Sequence, residues 1–183
     1  GCFISPMSVW IPHKTWQNNI KNAADYPFPK DTQGLVIIGA IDLSKRLDFT
    51  TFTLYFFDPH SNHYWAKHRF YFPESQIEEK LKHDSPMIRK WIEQGYIRPT
   101  PGDITDYNAV FADVKTDLKQ YTIKEILFDP WNAATLVSEI GPLVDLVEVN
   151  QSMKSISPMA QDFEAAIINN QIWVDFLARP YFH

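Results

Sequence analysis

Cysteine is nearly absent: one residue, Cys2, in a chain of 183. This excludes an intramolecular disulfide and a cysteine-built zinc site, and makes a reducing cytoplasm the natural compartment. Long apolar runs are also missing. None approaches the roughly 18 residues of a membrane span, and no secretory leader is visible, so no membrane partner is expected. Positive charge is scarce, with 17 Lys and Arg against 22 Asp and Glu and a net charge of −5. That balance argues against a protein that coats nucleic acid by bulk electrostatics, yet allows an acidic metal site beside a small basic patch. What the chain does have is apolar bulk: 45% hydrophobic and 15% aromatic residues, enough for about one domain with a sizeable core. It opens at Gly1-Cys2 without a methionine and stops at Phe182-His183 in mid-pattern, which reads as a fragment of something longer.

Residues 1–33 hold Pro6, Pro12, Pro27 and Pro29 among scattered aromatics, the pattern of an irregular arm or linker with one short helix around Lys14 to Ala23. The domain proper is expected over 34–183. Its first strand is Leu35 to Leu43. Phe49 to Phe57 is rich in β-branched and aromatic residues, and Asp58-Pro59-His60-Ser61-Asn62 is turn chemistry leading into His63 to Phe72. Three strands joined by short turns make an antiparallel meander. A polar helix, Glu74 to Lys82, follows. Ser85-Pro86 then opens a second one that Gly95 stops, with Ile88, Trp91 and Ile92 on its apolar face.

Beyond the loop YIRPTPGDITD, a helix from Asp106 to Gln120 presents Val110, Val114 and Leu118. Strand Ile123 to Phe128, helix Asn132 to Ile140 and strand Leu143 to Val149 come next. Ser157-Pro158 opens a helix that turns Met159, Phe163, Ala166 and Ile167 inward, and Ile172 to Leu177 makes a last short strand. The order predicts an α/β fold: a mixed sheet of three antiparallel strands then parallel strands reached by helical crossovers, with helices on both faces. That is the ribonuclease H-like architecture, in which the first strand is central and lies beside the fourth.

Two aspartates carry most of the functional signal. Asp42 ends the run LVIIGAIDLS and Asp129 ends IKEILFDPWN. A strand buried on both faces reads as continuous apolar sequence, and a charged residue rarely ends one without a reason. In neighbouring parallel strands, both carboxylates would emerge at the sheet edge where α/β proteins place their sites. Converging carboxylates repel unless a cation sits between them, and an all-oxygen ligand set suits Mg²⁺ or Mn²⁺. The chemistry suggested is metal-assisted phosphodiester hydrolysis. The competing structural roles are a turn cap with Ser44 for Asp42 and helix N-capping for Asp129.

Several stretches carry a family resemblance: GAIDLS (Gly39 to Ser44) with Asp48-Phe49-Thr50, RFYFP (Arg69 to Pro73), WIEQGYIRPTPG (Trp91 to Gly102), FDPWNA (Phe128 to Ala133) and QSMKSISP (Gln151 to Pro158). In this order and spacing, over roughly residues 35–180, the chain resembles the nuclease domain of the large terminase subunit of tailed bacteriophages. The resemblance implies a two-metal endonuclease that cuts double-stranded DNA with little sequence preference. Asp42 and Asp129 match the first two metal-binding acids, for two Mg²⁺ or Mn²⁺ ions in the complete site. The segment matching the approach to a third acid is WVDFLARP (Trp173 to Pro180), with Arg179 where Asn is common and no acid following. This implies truncation and a poorly active fragment. No GxxxxGK[ST] phosphate loop occurs, so the motor belongs to an ATPase domain expected elsewhere in the same chain. The implied partners are double-stranded DNA, the small terminase subunit and the portal protein, in the cytoplasm of the bacterial host. The alternatives are another ribonuclease H-like enzyme, such as a resolvase or transposase core, and a catalytically silent module docking on portal or capsid.

Other candidates are weaker. Asp48 is either an orienter of the metal site or a turn residue. Lys45 and Arg46, directly after the first acid, are placed to meet a phosphate. Lys67 and Arg69, with His68, Tyr64 and Trp65, could form a basic-aromatic edge against a DNA backbone or a solvated hairpin. Asp175 is a remote substitute third acid, and Asp103 and Asp106 are expected to cap the next helix. His60, His63 and His68 do not make a zinc site, since alternation sends His63 and His68 to opposite faces. Trp91, Trp131 and Phe163 are expected in the core and not as base-stacking platforms.

Overall fold

Alternating burial along β1 (Val36–Asp42) sets the architecture: Ile37, Gly39 and Ile41 are buried, while Val36 and Asp42 are exposed and Ile38 and Ala40 half-buried. The first strand is thus covered fully on one face only, not on both as its apolar run suggests. The computed structural model describes residues 10–19, 28–44, 48–79, 87–150 and 152–174, and gathers seven strands into one mixed sheet. Its strands are β1, β2 (Thr50–Asp58), β3 (His63–Pro73), β4 (Ile97–Thr100), β5 (Ile123–Phe128), β6 (Asp145–Glu148) and β7 (Ile172–Val174). The helices are α1 (His13–Asn19), α2 (Met87–Glu93), α3 (Tyr107–Gln120), α4 (Ala134–Ile140) and α5 (Met153–Ile168).

The strands run in the order β4-β3-β2-β1-β5-β6, with β7 also on β3. β1, β2 and β3 are the expected antiparallel meander, and β5 and β6 add parallel to β1. The long outer edge of β3 is shared by two short parallel strands: β7 along Tyr64 to Ala66 and β4 along Phe70 to Pro73.

α3 and α4 cover one sheet face, where Phe52, Phe56, Ile126 and Phe128 meet Val110, Val114, Leu136 and Ile140. Gly39 belongs to this layer because a Cβ there would stand 2.8 Å from Ile126 Cγ1. On the other face, α2 packs Ile88 against Phe72 and Ile97, with Trp91 and Ile92 half-buried around them. At the far end of that face, α1 and α5 enclose Ile167 and Ile172, with Ile11, Trp16, Tyr64 and Phe163 beside them. Asn19 Nδ2 donates to the carbonyl of Ile167 at 2.8 Å, so the described part of the N-terminal arm is seated on the sheet domain. The helix stops have clear causes. Gly95 (φ +78) and Asn170 (φ +56) take the left-handed conformation. Each helix closes with paired bonds, Tyr96 N–H to Trp91 O and Gln171 N–H to Ala166 O among them, each at 2.9 Å or less.

Four expectations need correction. IRPT is an edge strand and not loop; Pro99 lacks an amide donor, which an edge strand tolerates. The strand before Asp129 is therefore the fifth, though its place beside β1 is as expected. α4 begins at Ala134, because Asn132 (φ +60) breaks helical geometry before it. β6 is shorter than Leu143 to Val149, since Leu143 and Val144 still donate to the carbonyl of Ile140 in the turn after α4. Finally, α5 starts at Met153 behind Ser152, whose carbonyl accepts from Ser155 and Ile156, so Pro158 lies inside the helix. Met159 is consequently 56% exposed, while Phe163, Ala166 and Ile167 do face inward.

Candidate active site

The parallel register of β1 and β5 pairs Ile41 with Phe128, so Asp42 and Asp129 are the next positions on neighbouring strands. Adjacent strands lie about 4.8 Å apart. Both acids emerge at the edge formed by the carboxyl ends of the central parallel strands, the edge that α/β sheets use for ligands. Asp42 is exposed at the strand end, yet its carboxyl is held above the ordinary value of 3.8. Partial burial contributes most, followed by the negative charges of Asp129 and then Asp48. Asp129 and Asp48 thus both bear on Asp42, and no ion pair within the described residues neutralises any of the three.

Each acid is positioned by its local chain. Asp129 Oδ1 accepts from the amide of Trp131 at 2.8 Å, a turn closed two residues on. It therefore does not cap α4, which starts five positions later. The loop after Asp42 is closed by buried Thr50, whose hydroxyl accepts from Ser44 N–H (3.0 Å) and donates to Ser44 O (2.8 Å). Ser44 is thus tied to Thr50 and not to Asp42. Asp48 accepts from Phe49 N–H at 2.8 Å, the bond of its expected turn role, and its charge also raises the Asp42 carboxyl.

Other expected residues fall elsewhere. Lys45, Arg46, Asp175 and Arg179 lie outside the described residues. Arg69 forms a bidentate pair with Asp117, its Nη2 donating to Oδ1 at 2.9 Å, and Lys67 stands over the Tyr121 ring at 5.6 Å. Register puts Asp42, Thr51 and Phe70 in one row, so Arg69 and Lys67 belong to the opposite sheet face. Both terminal nitrogens of the guanidinium are engaged by Asp117. His68 Nδ1 meets Thr53 Oγ1 at 2.9 Å. Among the described residues, no group of three His, Cys, Asp or Glu is disposed to hold a metal. Asp106 caps α3 through Asn108 N–H at 2.9 Å; Asp103 is an exposed loop residue whose carbonyl accepts from Gln76.

Two side chains near the acids were not legible as site residues. Tyr107, the first residue of α3, enters at this sheet edge. Its hydroxyl is buried with no hydrogen-bond partner among the described residues, and burial and the Asp42 charge both push it upward. Trp131, expected in the core, is 77% exposed. The Asp129 turn and left-handed Asn132 project it outward, and Ala133, 3% exposed, takes the buried place.

Comparison with known proteins agrees with this arrangement. A family model described as "Terminase large subunit, endonuclease domain" matches residues 7–178. The large terminase subunit of Enterobacteria phage HK97 is 28% identical over 136 residues, 72% of this chain and 27% of that protein. The crystal structure of the HK97 large terminase superposes with a TM-score of 0.80 at 23% identity, over 93% of this chain and 35% of that one. The chain thus spans about a quarter to a third of the length of these relatives. No helix among the described residues is long and apolar enough to cross a membrane. The chain belongs to the family of terminase large-subunit endonuclease domains.

Proposed function

We propose that this chain is the divalent-cation-dependent nuclease domain that cuts double-stranded DNA during phage genome packaging, with Asp42 and Asp129 as its metal-binding acids. The observation that carries the reading is their placement at neighbouring strand ends, with no ion pair to either among the described residues. Such a site is costly unless a cation joins it. Oxygen-only donors favour Mg²⁺ or Mn²⁺ over softer metals.

The residues present fit one such ion. Asp42 and Asp129 would hold it, with Asp48 near enough to add charge and orientation. Two ions need a further ligand beyond these described acids, consistent with the complete site drawing on another acid. When bound, the ions would activate water and stabilise the departing oxygen in an in-line displacement. The protein's part is to fix both carboxylates on rigid strand ends, where Asp129 keeps its orientation through the Trp131 amide. Lys45 and Arg46 follow Asp42 in sequence and remain the proposed phosphate contacts. The ATPase domain of the same chain, the small terminase subunit, the portal and the host cytoplasm belong to this reading through the family. Family membership also displaces the resolvase and transposase alternatives.

The test is Mn²⁺ calorimetry together with plasmid relaxation by the full-length subunit, comparing wild type with Asp42→Asn and Asp129→Asn. Each variant is expected to bind Mn²⁺ at least tenfold more weakly and to lose cutting by 10³-fold or more, while remaining folded (on the order of the losses for removing catalytic groups). Equal Mn²⁺ binding by all three would remove the acids from the site. Absence of cutting by wild type would favour the silent docking module.

A further inference from the structure

We infer that Trp131 is a nucleic-acid contact, an indole held beside the acid pair to pack against the sugar and base next to the phosphate being cut. The inference deepens the nuclease reading and rests on it for the identity of the polymer.

Three observations lead there. Trp131 is 77% exposed, well above Trp10 at 55% among the described residues. An indole left in water at such a level has no role in the core, and aromatic rings of this kind dominate the contact energy of interfaces. Its exposure is also imposed by structure. Pro130 restricts the chain, Trp131 N–H is fixed on Asp129 Oδ1 at 2.8 Å, and Asn132 sits at φ +60. Ala133 N–H then donates to Pro130 O at 3.3 Å while Ala133 itself is buried. The loop is therefore closed by its own hydrogen bonds with the ring outside it. Lastly, the carboxylate that fixes the ring is one of the two proposed ligands. A metal-bound Asp129 and a correctly presented Trp131 are the same local conformation.

Nucleic acid fits this position for reasons of charge and spacing. A net charge of −5 and the three acids repel a phosphate backbone away from the cation. An uncharged ring adds attraction without that conflict. Phosphates follow each other at about 3.4 Å of rise along a strand, so a phosphate at Asp129 brings its flanking nucleotides to residue 131. Every nucleotide of a duplex offers a sugar to pack against, which makes such a contact sequence-tolerant. A protein surface is the competing occupant, and the experiment separates the two.

Full-length wild type, Trp131→Ala and Trp131→Phe are compared in three measurements. They are anisotropy of a short labelled DNA duplex in Ca²⁺, single-turnover cleavage in Mn²⁺, and thermal denaturation. Trp131→Ala is expected to weaken duplex binding about tenfold, in the range of an aromatic contact truncated at an interface, and to slow cleavage at subsaturating DNA. Trp131→Phe should keep most of the affinity. The melting temperature should stay within about 1 °C, since an exposed side chain contributes little to folding. Unchanged duplex affinity in Trp131→Ala overturns the inference while leaving the nuclease reading intact. A lowered melting temperature with normal DNA affinity would also overturn it, assigning the ring to a contact within the subunit. Weakened binding by a protein that never cuts would sustain the contact and defeat the nuclease reading. A wild type that neither binds nor cuts DNA overturns both.

Discussion

Two groups of carboxylates stand within one small sheet and have opposite surroundings. On the face under α3, Asp117 is 1% exposed and held by both arms of Arg69, and Asp113 is shared by Arg98 and the hydroxyl of Tyr71. At the strand ends, Asp129 and Asp48 raise the Asp42 carboxyl, and none of the three has such a partner among the described residues. Both groups are acidic in sequence, and nothing in residue type separates them. The difference lies in whether charge is satisfied inside the chain. A satisfied carboxylate holds the fold together, whereas an unsatisfied one is poised for something from outside.

The comparison breaks most visibly at Asp117. Asp117→Ala leaves the Arg69 guanidinium half-buried and unpaired, and removing one partner of a buried pair costs about 3 kcal/mol or more. For a chain of this size that lowers the melting temperature by roughly 6–12 °C. Thermal denaturation reads it directly. A loss under about 1 kcal/mol would mean that the pair behaves like a surface salt bridge, and the contrast with the strand ends would lose its basis.

A smaller effect, of opposite sign, is expected beside the acids. Tyr107 keeps a buried hydroxyl without a partner among the described residues. An unmet buried polar group costs about 1–3 kcal/mol, and replacing it by an apolar group of the same shape removes that cost. Tyr107→Phe should therefore raise the melting temperature, by about 2–4 °C for each kcal/mol of that cost. A decrease would show that the hydroxyl has a partner, which would take Tyr107 out of the unsatisfied region.

How much of this could be read from sequence follows the same division. Strand ends and their acids were legible because β1 is an almost unbroken apolar run, β5 closes on the apolar Ile126 to Phe128, and crossover rules put them side by side. The helix before Gly95 was legible by its stop signal, and Gly95 does end α2 in the left-handed conformation, while the expected cap Ser85-Pro86 lies outside the described residues. Relationships across the sheet were not. Arg69 looked like a basic edge because its partner Asp117 is 48 positions away and occupies the slot where helical spacing favours Leu118. Trp131 looked like core because large rings usually are, and only the Asp129 turn with Asn132 reveals the reversal. Pro99 and Pro158 misled through a local rule that tertiary context overrides, one on a sheet edge and one within a helix already started.

The finest test of the contrast is the pH dependence of Asp42. Its folded carboxyl sits above the ordinary 3.8, through partial burial first and then repulsion from Asp129 and Asp48. The folded state therefore holds this proton more tightly than the unfolded chain does. Stability from the protonated group is fully present below 3.8 and is lost as pH rises through the raised folded value. At neutral pH the charge is a penalty, so Asp42→Asn should stabilise the cation-free protein. Because Asp42 is exposed, solvent screening limits the gain to a fraction of a kcal/mol, about 1–2 °C. The gain should vanish at about pH 3, where wild type is protonated as well. It should shrink at high salt, which screens the repulsion from Asp129 and Asp48. Saturating Mn²⁺ should reverse the order, because a ligand of the folded state stabilises wild type and has lost an anchor in the variant. Melting curves in EDTA at neutral and acidic pH, repeated with Mn²⁺, read all these signs. If Asp42→Asn lowers stability at neutral pH without a cation, Asp42 already has a partner in the fold and belongs with Asp117.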